Sequence, residues 1–145
     1  MNHIRKLTIT FEPTFDNVDM VRAAVSGVCT DYFHLPCDAT CTMDFCLIVT
    51  ELMNNSVEHA QINVLEAEIL LAKDEAIFRL ISDGPSFDPT RPATMPDVEQ
   101  DELPEGGFGL ALIQSLADGM EYEYLESKNM VTLRKLFPVR TVKEA

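Results

Sequence analysis

The spacing of apolar positions changes several times along the chain, and each change marks an element. Residues 4–11, IRKLTITF, alternate and are β-branched, which predicts a strand ended by Pro13. Apolar residues then recur at Val18, Val21, Ala24, Val25 and Val28. That spacing of three and four predicts a helix capped by Asp16 or Asn17 and running to about Tyr32. Pro36 interrupts. A second helix opens at Cys37 or Asp38 and runs to about Ala60. Its second half, CLIVTELMNNSVEHA, carries apolar side chains (Leu47, Ile48, Val49, Leu52, Met53, Val57) over most of its surface, so burial is expected. Glu51 and Asn55 are four apart and share a face, which His59 extends by a turn. A carboxylate and an amide on a buried face are costly unless something pairs with them.

Val64–Ala72 and Ala76–Ile81 read as a hairpin around Lys73-Asp74-Glu75. A long irregular segment, Ser82 to Gly106, follows with five prolines; segments of this length inside a compact domain are usually functional lids or disordered. A third helix is predicted over Leu110–Asp118, with Gly119 as its C′ residue. Strands Met120–Glu126 and Met130–Phe137, joined by Ser127-Lys128-Asn129, close the pattern before a polar tail at 138–145. The order β-α-α-β-β-α-β-β over 1–145 predicts one domain. It is an α/β two-layer sandwich, a mixed and mostly antiparallel sheet backed by three helices.

The 145-residue length and the 46% hydrophobic content suit a soluble domain with its own core. No apolar run is long enough to span a bilayer, and the N-terminus has no apolar stretch of signal-peptide length, so a cytoplasmic protein is expected. The net charge of −13 argues against nucleic acid and against an anionic membrane surface, and favours a basic partner if it favours any. Cys29, Cys37, Cys41 and Cys46 contain no C-x-x-C pair. A zinc site at His34, Cys37 and Cys41 lacks a second ligand pair of recognisable spacing, so free, mostly buried thiols are the better reading.

Both familiar phosphate-loop patterns, G-x-x-x-x-G-K-[ST] and G-x-G-x-x-G after a strand, are absent. Gly107-x-Gly109 does precede a helix, where glycine admits close backbone approach and the helix start offers free N–H groups. The same residues fit a plain helix start after a loop. Asp83-Gly84-Pro85 is either a β-turn or a ligand-edge loop in which Asp83 accepts from an amino group. Asn55 offers an oxygen ligand for Mg²⁺, which takes few protein ligands and completes its shell with phosphates and water. Glu51, one turn earlier, is placed to accept a proton from an attacking hydroxyl, unless both residues have no task.

Together these pieces resemble a known family. Glu51-x-x-x-Asn55-x-x-x-His59 is similar to the N-box of the GHKL ATPase/kinase superfamily. Gly84-x-x-Phe87-Asp88-Pro89 resembles its first glycine box, and Gly106-Gly107-Phe108-Gly109-Leu110 its second. Nearly the whole chain resembles the bacterial anti-sigma-factor serine kinases of the RsbW type. The resemblance implies a Bergerat-type ATP site, with Glu51 as catalytic base and Asn55 as Mg²⁺ ligand. It further implies nucleotide contacts from Asn55, Asp83, Gly84, Gly107, Phe108, Gly109, Leu110 and Thr132, and an ATP lid at about 90–105. It implies a kinase acting on a serine or threonine of a STAS-domain anti-anti-sigma protein, sequestration of a sigma factor, and a homodimer. A nucleotide-sensing module that works by partner capture alone is the alternative. The ATPase domain of a sensor histidine kinase ranks third, because such domains follow a dimerisation helix and this chain opens on a strand.

Two departures from the family stand out. The adenine-reading Asp is expected two residues before Gly84, where Ser82 stands, with Asp83 one residue nearer. The lid carries Arg91 as its one basic residue among five acids.

Overall fold

The computed structural model describes residues 4–59, 63–86, 88–89 and 108–138. The elements are β1 (Arg5–Phe11), α1 (Phe15–Phe33), α2 (Thr40–His59), β2 (Leu65–Ala72), β3 (Glu75–Asp83), α3 (Phe108–Leu116), β4 (Gly119–Leu125) and β5 (Lys128–Leu136). The strands form one sheet in the order β1-β2-β3-β5-β4. The expected mixed sheet is more uniform than predicted: every pairing among these strands is antiparallel.

The helices cover one face. The buried alternation Leu65, Ala67, Ile69, Leu71 on β2 and Ala76, Phe78, Leu80 on β3 meets Val18, Val21, Val25 and Cys29 of α1 and Phe45, Ile48, Val49, Leu52 and Met53 of α2. Phe137 closes the core beyond β5, stacked on Phe33 with ring centroids 4.1 Å apart and edge-on to Phe45 at 6.1 Å. The other face of the sheet is a polar ladder: Arg79 pairs with Glu68 at 3.1 Å and donates to Thr132 at 3.3 Å. An antiparallel sheet tolerates one face turned to solvent while the other packs on the core.

Several boundaries differ from the sequence reading. Thr14 caps α1, its Oγ1 accepting from the Asn17 N–H, while the Asn17 amide donates back to the Glu12 carbonyl. α2 is buried along one stripe rather than throughout, for Met43 and Leu47 on its far side are exposed. Gly119 is the first residue of β4 and not the C′ residue of α3. The preceding Asp118 N–H already bonds the Arg134 carbonyl of β5. The end of α3 is held instead by Lys135, whose ammonium donates to the Leu116 carbonyl at 2.8 Å. The β4–β5 turn is Glu126-Ser127, both with positive φ (53° and 63°), one step before the predicted turn.

α3 leads into β4 by a short connection, and β4 runs back along it, so the start of α3 lies toward the Leu125 end of β4. That end of the sheet also holds Asn129, its pair Ser82, and Leu65, which follows α2 by only a few residues. The C-terminal half of α2, the start of α3 and the ends of β3 and β4 therefore converge.

Candidate active site

α2 presents Glu51 half-buried at this convergence. Gly109, the second residue of α3, packs directly on it: a Cβ built at Gly109 would stand 2.5 Å from Glu51 Oε2 and 3.8 Å from Glu51 Cβ. Only glycine lets the start of α3 come this close to the carboxylate. Burial of Ala111 and Ile113 seats the helix there, and Leu110 is half-buried beside them. The first N–H groups of α3, which no helical bond satisfies, thus open next to Glu51. Asn55 lies one turn further along α2, half-buried, as does Asn54 beside it.

The Gly84 loop is fastened to the β4–β5 hairpin. Gly84 has φ 132°, a conformation side chains resist, and its N–H donates to the Ser127 carbonyl at 3.1 Å. Tyr124 donates to the Gly84 carbonyl and the Asn129 amide to the Pro85 carbonyl, each at 3.0 Å. Tyr122 donates to Asn129 Oδ1 at 2.5 Å, and its oxygen lies 2.9 Å from Ser86 Oγ. Further along, Gln114 of α3 donates to the Pro89 carbonyl at 3.1 Å.

Two predicted nucleotide contacts lie elsewhere. β3 continues to Asp83, two residues beyond its predicted end, so its alternation turns Ser82 toward the helices and Asp83, exposed, to the opposite face. Thr132 is likewise on the opposite face, opposite Arg79, while its neighbours Val131 and Leu133 enter the core. Neither is brought together with Glu51. In their place the helix-facing side at this end offers Ser82, which stands at the position expected for the adenine-reading Asp, together with Tyr122, Tyr124 and Asn129, which sequence reasoning did not single out. Their common parity with the buried Leu80 and Val131 was the available signal. Gly106, Gly107, Phe87 and the lid with Arg91 lie outside the described residues, as do the side chains of His59 and Phe108.

The residues present fit a magnesium nucleotide at its phosphate end. A glycine cradle, an open helix start, one carboxylate and one amide oxygen are the donor and acceptor types a triphosphate and its cation require. No cluster of three or more His, Cys, Asp or Glu suited to a metal occurs among the described residues, and the Cys37 thiol is free and exposed rather than buried. Burial between α1 and α2, reinforced by the nearby Cys46, pushes the Cys29 thiol up to about 12.

One protein-family profile, that of the histidine kinase-like ATPase domain, matches residues 11–135. The chain belongs to that family. No curated protein matches it significantly. The match spans α2, the Gly84 loop and α3, and supports ATP binding by this histidine kinase-like ATPase domain. Among the described residues no helix is long and apolar enough to cross a membrane.

Proposed function

We propose that the chain is an ATP-dependent serine/threonine protein kinase and anti-sigma factor of a cytoplasmic partner-switching system. Its substrate is then a STAS-domain anti-anti-sigma protein, its second partner a sigma factor, and its working form a homodimer. The observation that carries the reading is the seating of Gly109 on the Glu51 carboxylate inside a histidine kinase-like ATPase domain. Bound ATP supplies the phosphoryl group, and Mg²⁺ offsets its charge. Asn55 would hold the cation. The N–H groups at the start of α3 would hold phosphate oxygens. Glu51 Oε2 would take the proton of the substrate hydroxyl as its oxygen bonds to the γ-phosphorus, the bridging P–O bond breaks and ADP leaves.

Labelled ATP, Mg²⁺ and a candidate STAS protein test this directly. The expected result is label on a serine or threonine of the STAS protein, and its loss with Glu51→Ala. Wild-type protein that transfers nothing, or a Glu51→Ala variant that transfers normally, overturns the kinase assignment. A nucleotide-sensing module acting by capture alone is the second reading. It is favoured by the outward turn of Asp83, which leaves no carboxylate from β3 on the helix-facing side. Tight nucleotide binding in calorimetry with no turnover selects it.

A further inference from the structure

Two contacts, one at each end, fix α3 along α2. At its start, Gly109 seats on the Glu51 carboxylate. At its end, the Leu116 carbonyl accepts from the Lys135 ammonium at 2.8 Å, and the same ammonium lies 3.9 Å from Asp44 Oδ2 of α2. Asp44 and Glu51 are seven residues apart, and so are Gly109 and Leu116. Seven residues of α-helix rise about 10 Å, so the two contacts span the same length on both helices, which run antiparallel. α3 is thereby a short strut clamped at both ends.

The two clamps differ in kind. Glycine has no side chain to grip with, and the burial of Ala111 and Ile113 beside it is apolar packing, which has no direction. Lys135 is directional. It shares the helix-facing parity of Val131 and Leu133 on β5, and its side chain is only 13% exposed. Lysine is seldom buried to this extent unless it is paired. Its ammonium also lies 3.8 Å from Asp118 Oδ2, which accepts from the Leu136 N–H at 2.7 Å. One cation therefore joins α2, the end of α3 and the approach to β4, and it complements the negative end of the α3 dipole. We propose that Lys135 is a positioning residue for phosphoryl transfer: by tying the end of α3 to Asp44, it sets where the start of α3 stands against Glu51.

The inference rests on the ATP site and the kinase activity proposed above, and the test separates them. Wild-type protein is compared with Lys135→Met, Lys135→Arg, Asp44→Asn and the control Ile69→Val. Methionine keeps an unbranched apolar stem and removes the charge. Ile69→Val opens a small cavity on β2, two strands from β5, and costs stability without touching the tie. Transfer to the candidate STAS protein is measured well below every melting midpoint, and ATP binding by calorimetry at millimolar Mg²⁺. Lys135→Met is expected to lower kcat about tenfold and ATP affinity about threefold, with KM for the STAS protein within about twofold of wild type. Lys135→Arg is expected to restore most of kcat, and Ile69→Val to melt earlier yet transfer normally. Normal kcat in Lys135→Met, a loss matched by Ile69→Val, or no recovery in Lys135→Arg overturns the inference and leaves the kinase standing. If Lys135→Met does not fold, the partly exposed Asp44→Asn decides: a drop in kcat of about threefold is expected, and none overturns the inference. A wild type that binds ATP without transfer ends the kinase reading, and equal ATP affinity in Lys135→Met then overturns the tie. Wild-type protein that binds no ATP overturns the site and this inference together.

Discussion

At the scale of single residues, the site turns on a hydrogen atom at Gly109. A methyl group there would meet Glu51 Oε2 at 2.5 Å, and the atom that must yield is the tip of a flexible side chain. Gly109→Ala is therefore expected to spare the fold and displace the carboxylate. Misplacing a catalytic group by about 1 Å costs on the order of a hundredfold in rate. Phosphoryl transfer should fall by about that factor while the thermal midpoint stays near wild type, and a variant with normal transfer would remove Glu51 from the reacting geometry. The thiols supply a second prediction. Cys29 is buried and its thiol is pushed up to about 12, whereas Cys37 is exposed. In the unfolded chain Cys29 releases its proton near its ordinary value of 9.0, and the folded chain holds it until about 12. The unfolded state binds fewer protons in that window, so stability falls as pH rises and is unaffected below it. Between pH 8 and 10 the loss from this one thiol is about 1 kcal/mol. Urea melts at the two pH values should show a smaller drop for Cys29→Ala than for wild type, and equal drops would contradict it. Iodoacetamide at pH 8 should label Cys37 well before Cys29.

Elements explain which of these residues sequence could reveal. The glutamate and asparagine of α2 were legible because helical spacing fixes their shared face whatever the helix packs against. The strands were located within one or two residues, yet a strand's faces depend on parity, and a shift of one residue reverses them. β5 reads Met130, Val131, Thr132, Leu133, with apolar side chains in both parities, so nothing in its composition kept Thr132 off the nucleotide side. β3 carried the same ambiguity: ended at Ile81 it leaves Asp83 free to turn inward, but continued to Asp83 it faces that residue outward. The β4–β5 turn was missed because two left-handed residues there are glutamate and serine, where asparagine and glycine are usual. This turn is part of the site's support, since Ser127 holds Gly84 and the hairpin's Tyr122, Tyr124 and Asn129 hold the loop beyond it. Asn129→Ala removes two of those bonds within a buried pocket, for an expected destabilisation of about 1–3 kcal/mol. Nucleotide affinity should weaken as well, because the loop loses its anchor. Denaturant midpoints and calorimetry measure both, and unaltered values would mean the hairpin does not position the loop.

For the whole molecule, the surplus of acids is the dominant electrostatic fact. The chain carries 24 acidic and 11 basic residues. The described ion pairs offset little of it, because those on the surface, Arg5 with Asp31 and Arg134 with Glu75, are half-exposed and worth little each. Self-repulsion among the unpaired acids opposes the compact state. Salt acts on both terms, and their ranges decide the sign. The surface pairs lie within 3.0 Å or less and are weak to begin with, whereas the repulsion is summed over many pairs at longer range. At about 0.01 M ionic strength the Debye length is near 30 Å, comparable to the size of the domain, and at 0.3 M it is only about 6 Å. Raising sodium chloride across that interval, with magnesium and nucleotide absent, removes most of the repulsion. A gain of about 1 kcal/mol would raise the melting temperature by roughly 2–4 °C for a chain of this size. Differential scanning fluorimetry in a sodium chloride series measures it; a melting temperature that falls with salt would show that the ion pairs, and not the surplus charge, govern the stability of the folded chain.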